Sequence, residues 1–231
     1  MRKLFDKNET LISILLIVIY LISNSFCLSN FGIYNYKTFL VNFILTVLII
    51  LFIVICKLGD YFSLTEFPNP KKFLYFIPLI LLMSVNIWGG INLDYKLNEV
   101  LFYMLSMICV GFLEEIIFRG FLFKMISKDD LKLAVIITSL TFGVGHIINL
   151  FNGASLIPTL VQICYALATG YMFAIILVKG KSLWPCVIAH SIVNSLSLFV
   201  VEGVVTTYIG PIVLTVVPIL YSIYLNKTIK E

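Results

Sequence analysis

The sequence predicts an all-α, polytopic membrane protein of about eight transmembrane helices, and three observations carry that prediction. First, 61% of the 231 residues are hydrophobic and only 12% are charged, whereas soluble domains run nearer half apolar and a quarter charged. Second, the apolar residues form continuous runs rather than alternating with polar ones, each close to the ~20 residues that cross a bilayer as a helix. A helix satisfies its own backbone in lipid, where an open strand cannot. Third, the lysines collect in short clusters between the runs.

Taken in order, the runs are 11–28, 38–56, 73–91, 99–124, 131–150, 157–178, 183–201 and 208–225. The first follows the charged stretch Met1 to Glu9 without an A-x-A-like cleavage site, so it reads as a retained span and not a signal peptide. Between the second and third lies the longest polar connector, Lys57 to Lys72, marked by Asp60, Glu66, Pro68 and Pro70. Pro158 and Pro211 sit near the starts of the sixth and eighth helices, where a missing N–H does no harm. Ala166, Gly170 and Ala174 give the sixth helix a small-residue face suited to close packing in a membrane. No polar block is large enough for a separate soluble domain. Residues 1–231 therefore read as one membrane-embedded domain, with no internal repeat.

Charge orients the helices. Arg2, Lys3, Lys7, Lys57, Lys71, Lys72, Lys124, Lys128, Lys132, Lys179, Lys181, Lys227 and Lys230 fall at one set of helix ends, and Lys37 and Lys96 at the other. Positive residues accumulate on the cytoplasmic side, so both termini are expected there, in a multi-pass protein of the cell membrane. The net charge of +4, spread over membrane-flanking clusters, suits a lipid surface and not a nucleic-acid groove. Five cysteines, scattered and without a C-x-x-C pair, read as small apolar residues.

The informative residues are the polar ones inside the runs. An acidic side chain at a helix centre costs roughly 2.5–3.5 kcal/mol on insertion scales, yet the fourth run holds Glu114, Glu115 and Arg119. Glu115 and Arg119 are i,i+4 neighbours and can pair. Glu114 points about 100° away, which leaves it as a candidate general base. The fifth run ends in Phe142-Gly-Val-Gly-His146, where Gly143 and Gly145 let a second backbone or a substrate approach. In the seventh, His190 and Asn194 share a face. They serve either as interhelical polar glue or as two donors to a developing oxyanion. Counted along their helices from the lysine-bearing ends, all four fall in one slab, expected to open towards the cytoplasm.

Glu-Glu-x-x-x-Arg at 114–119, Phe-x-x-x-His at 142–146 and His-x-x-x-Asn at 190–194 together resemble the motif set of the CPBP (CAAX protease and bacteriocin-processing) family. That family includes type II CAAX endopeptidases and bacterial relatives linked to bacteriocin self-immunity. The motif-bearing core covers about residues 100–200. The resemblance implies an all-helical membrane fold with a conical cavity open to the cytoplasm, and an intramembrane endopeptidase acting near that interface. It implies that Glu114 activates water and His146 helps position it. His190 and Asn194 would stabilise the oxyanion, and Glu115 with Arg119 would support the site, as would Phe142. The implied substrate is a membrane-associated peptide or prenylated protein.

The chemistry is coherent without a nucleophile: Ser191, Ser195 and Cys109 lack the partners of a triad. No cofactor is expected, although Glu114, His146 and His190 are also an admissible zinc set, against which stands the absence of His-Glu-x-x-His. Two other functions fit part of the pattern. One is a non-catalytic immunity or partner-binding protein; the other is a transporter, which lacks its usual matched pair of broken helices.

Overall fold

A computed structural model of the chain describes residues 2–229 and is built of helices joined by turns, with no strand among them; Lys230 lies outside the described residues. Seven helices are long and apolar enough to cross a membrane. The first two are α1 (Arg2–Phe31) and α2 (Tyr36–Ile55).

The third span, Pro70–Ile87, departs from the continuous helix expected. Leu74, Tyr75 and Phe76 have φ of 50°, 51° and 58°, a left-handed kink, and regular α3 occupies only Ile77–Ser84. Pro78, at the start of α3, lacks the N–H that would tie it to the preceding turn.

The fourth span runs as α4 (Leu97–Glu115), a π-helical segment (Ile116–Leu122) and α5 (Phe123–Ile126). The fifth is α6 (Leu131–Gly145) and the short α7 (Ile148–Phe151), and the sixth is α8 (Leu156–Gly180). α9 (Trp184–Leu196) continues as a 3-10 turn to Phe199. Read from sequence as a full span, it is only about 24 Å long at 1.5 Å per residue, short of a ~30 Å hydrocarbon core. A π turn at Val205–Ile209 leads into α10 (Gly210–Thr228).

The eight helical segments alternate as the lysine clusters require. At one end, here the basic end, Arg2 Nη1 reaches the Lys57 carbonyl at 3.4 Å and Lys128 pairs with Glu9. Lys124 donates to Ser63 Oγ at 3.1 Å, and the Trp184 indole donates to the Leu64 carbonyl at 2.8 Å. Tyr61 donates to Glu9 at 2.5 Å. Burial first, and then that hydrogen bond, push its phenol well above the usual range, so it remains a donor. At the far end, Ser25 donates to Asn152 at 2.7 Å and the Asn92 amide to the Phe199 carbonyl at 2.9 Å.

One apolar cluster, from Phe5 through Phe121 and Phe173 to Leu225, joins the helices. α4 packs against α2 and α9, and α8 lies between α6 and α10. Ala166 and Ala174 are buried as the small-residue face predicts. The cysteines are free, and all but Cys164 are buried.

Candidate active site

Glu114 and Glu115 end α4, and α9 crosses them closely. A Cβ on Gly111 would stand 2.7 Å from the Ser191 nitrogen and 2.8 Å from its Cα, so only glycine permits the crossing. It sets His190 against both carboxylates: Nδ1 is 2.8 Å from Glu115 Oε1, and Nε2 is 3.4 Å from Glu114 Oε2.

The neighbouring glutamates have different surroundings. Glu115 and Arg119 are both 0% exposed and meet at 3.0 Å, the i,i+4 pair expected from sequence. The Arg119 guanidinium lies 4.2 Å from the Phe142 ring centroid and 5.7 Å from that of Phe173. Those aromatic faces support a charge whose Nε and Nη2 find no hydrogen-bond partner among the described residues. Gly170 of α8 makes room for it, since a Cβ there would be 3.0 Å from Nη2 and 3.2 Å from Phe142 Cδ1. The small-residue face thus shapes the site as well as the packing. Glu114 keeps 15% side-chain exposure and accepts a hydrogen bond from Tyr20 at 2.6 Å.

His146 caps the end of α6. The Phe142 carbonyl, 3.0 Å from its Nδ1, can only accept, so Nδ1 carries a proton and Nε2 is left facing the cavities. The Phe142 ring stands edge-on to both histidines, 5.2 Å from His146 and 5.6 Å from His190 between centroids. The two flanking glycines do different things. Gly143 abuts Leu167, whose nitrogen would be 3.0 Å from an added Cβ, whereas nothing lies within 4 Å of one on Gly145.

Two cavities meet at His146 and Phe142. The smaller, about 60 Å³, is bordered by Glu114, Tyr20 and Gly145 and continues to Asn24, Asn149 and Asn152. It exceeds the ~10–15 Å³ a water needs. The larger, about 180 Å³, is bordered by His190 and Asn194 and continues to Asn86, Gln162 and Ser197. Glu114 and His146 therefore face one cavity, and His190, Asn194 and His146 the other.

The structure brings all seven sequence-predicted residues together, and the two cavities that meet at His146 run from them towards the far end. Towards the basic end, every residue of the fourth span from Glu115 to Phe123 is buried. The candidate nucleophiles are otherwise occupied or enclosed: Ser191 Oγ donates to the Ile108 carbonyl at 3.3 Å, and Ser195 and Cys109 are buried.

Among the described residues no three His, Cys, Asp or Glu side chains group as metal ligands.

Sequence reasoning missed Tyr20 and Asn86. Tyr20 is a phenol inside an apolar run with Asn24 one turn on, a weak signal that the first span has a polar face. Asn86 donates to the Val193 carbonyl at 2.8 Å and fixes α9 beside the larger cavity.

Residues 96–196 match the family model described as type II CAAX prenyl endopeptidase Rce1-like. That stretch contains Glu114, Glu115, Arg119, Phe142, His146, His190 and Asn194, and it leaves out Tyr20. No curated protein and no solved structure matches the chain.

Proposed function

We infer, from a chain whose residues 96–196 belong to the Rce1-like type II CAAX prenyl endopeptidase family, that this protein is an intramembrane endopeptidase in which Glu114 activates water. The observation that carries the reading is Glu114 itself: a carboxylate at membrane depth, held by Tyr20 and His190, beside a cavity of water size.

In this reading a water in the smaller cavity is gripped by Glu114 and by the free Nε2 of His146. The scissile carbonyl lies in the larger cavity against His190 and Asn194. Glu114 takes one proton as the water oxygen bonds to the carbonyl carbon. The C=O electron pair moves onto oxygen, and the oxyanion is met by the Asn194 amide and by His190. For His190 to donate there, Nε2 must carry a proton; Glu115 at Nδ1 and Glu114 near Nε2 hold the ring in place. The C–N bond then breaks, and Glu114 passes its proton to the leaving amine. Arg119 pairs with Glu115 at 3.0 Å and holds it in place, so Glu115 orients His190 without entering the chemistry.

No metal is required in this scheme. The substrate is a membrane-associated peptide, prenylated or not. The chain is a single membrane-embedded domain, with the basic segments and both termini in the cytoplasm.

The test is cleavage of lipidated and unmodified membrane peptides by purified wild type and Glu114→Gln, each with and without chelator. Wild type should cleave with chelator present, and Glu114→Gln should lose about 10²–10⁴ in rate with unchanged thermal unfolding. Wild-type turnover by Glu114→Gln would overturn the assignment of the base. A wild type inactive on every peptide would favour the non-catalytic scaffold.

A further inference from the structure

Away from the paired glutamates, the basic ends of α6, α8 and α10 border a cavity of about 400 Å³. Its polar rim is Lys132 from α6, Lys179 from α8 and Asn226 from α10. Below the rim the lining turns apolar. Along α8, Tyr171, Ile175 and Lys179 follow at i, i+4 and i+8, so Tyr171 lies about 12 Å deeper along the helix than Lys179. Along α6, Lys132 is followed one turn on by Val135 and Ile136. Val135 and Ile175 are buried, whereas Ile136 is 51% exposed, so the trench they form is reached from the lipid phase at its side.

Charge separates this cavity from its neighbour. No acidic residue among the described residues borders it. Asp130, next to it in sequence, accepts from the Leu133 amide at 2.9 Å as the cap of α6. The adjoining cavity, about 690 Å³, shares Leu131 and Val178 but sets Asp60 and Glu66 against Lys124 and Lys181. There Lys124 also donates to Ser63. The uncompensated positive charge therefore lies over the apolar trench and not in the wider cavity beside it.

We propose that this cavity is a binding site for one anionic phospholipid. Its phosphodiester sits between Lys132 and Lys179, with the Asn226 amide as a further donor, and one acyl chain runs past Ile175 to Tyr171. A free phosphate would use the rim alone and a neutral chain the trench alone. The cavity presents both, in the order in which an amphiphile carries them, and basic pockets between membrane helices suit such headgroups. Bound there, the lipid ties α6, which ends in His146, to α8 and α10. The site shares no residue with the peptidase machinery, so it stands whether or not the chain cleaves peptides.

The test uses purified full-length protein in neutral detergent, titrated with dioleoylphosphatidylglycerol, dioleoylphosphatidylcholine or inorganic phosphate. Apparent affinity is read from the rise in unfolding temperature, each variant being measured against its own lipid-free value. Phosphatidylglycerol should stabilise wild type, and phosphatidylcholine and phosphate should not. One lysine beside an anionic headgroup is worth roughly fivefold in affinity. Lys132→Gln/Lys179→Gln should therefore bind phosphatidylglycerol about thirtyfold more weakly, while Lys71→Gln/Lys72→Gln, which removes the same charge elsewhere at the basic end, should bind like wild type. Ile136→Trp, which narrows the trench and leaves both lysines, should also weaken binding. Equal stabilisation by phosphatidylcholine, full stabilisation by phosphate, equal losses in the two double variants, or wild-type binding by Ile136→Trp would each overturn the proposal.

Discussion

The two halves of the fourth span use the same kind of residue for opposite ends. From Leu97 to Glu114 the helix alternates buried and accessible positions and borders a cavity. From Glu115 to Phe123 it is wholly buried and passes into a π-helical segment that holds Arg119. The boundary falls between two adjacent glutamates. Glu115 is fixed by a cation and a histidine in a dry interior, while Glu114 is left at the edge of water. Adjacent acids of equal intrinsic strength are thus separated by what each can touch, and π segments of this kind are often found at functional sites.

The largest expected effect tests the buried half. Glu115→Gln leaves Arg119 charged and unpaired with two aromatic faces beside it, and breaking such a pair typically costs about 3–5 kcal/mol. Thermal unfolding in detergent should fall accordingly, and activity per folded molecule should fall too because His190 loses its anchor. If Glu115→Gln unfolds like wild type, the contrast between the two glutamates is broken.

Next is Asn194→Leu. Its side chain borders the larger cavity beside His190, so its loss should lower kcat about 10²–10³-fold with little change in KM and an unchanged melting temperature. Full activity in folded protein would assign it to packing.

The smallest effect is Tyr20→Phe. One hydrogen bond to a charged group is worth about 1.5 kcal/mol at the low end, or roughly tenfold in rate. Wild-type kcat/KM in folded Tyr20→Phe protein would make Tyr20 a packing residue.

The polar residues of the site were legible in sequence because each stands out against an apolar helix, where an uncompensated charge is expensive. The pairing of Glu115 with Arg119 followed from helical spacing alone. Tyr20 was not legible, since tyrosine is ordinary in a membrane helix and its partner lies 94 positions away. The kink at Leu74–Phe76 was invisible because those three side chains are as apolar as any helix interior. α9 was drawn too long because hydropathy continues to Val201 after the helix has ended. Depth measured from the lysines put Glu114, His146, His190 and Asn194 in one slab, and the two cavities that meet at His146 join them.

The small cavity beside Glu114 has a consequence for supply. At about 60 Å³ it stores at most a few waters, each occupying about 30 Å³ in the liquid. In the peptidase reading hydrolysis consumes one of them at every turnover, so the store must be refilled each cycle. A polar route past Asn24 and Asn149 leads to it, beside an apolar cleft that shares Ser25 and Gly145. The asparagines along that route then govern how fast the site becomes wet again, a rate distinct from the bond-breaking set by Glu114.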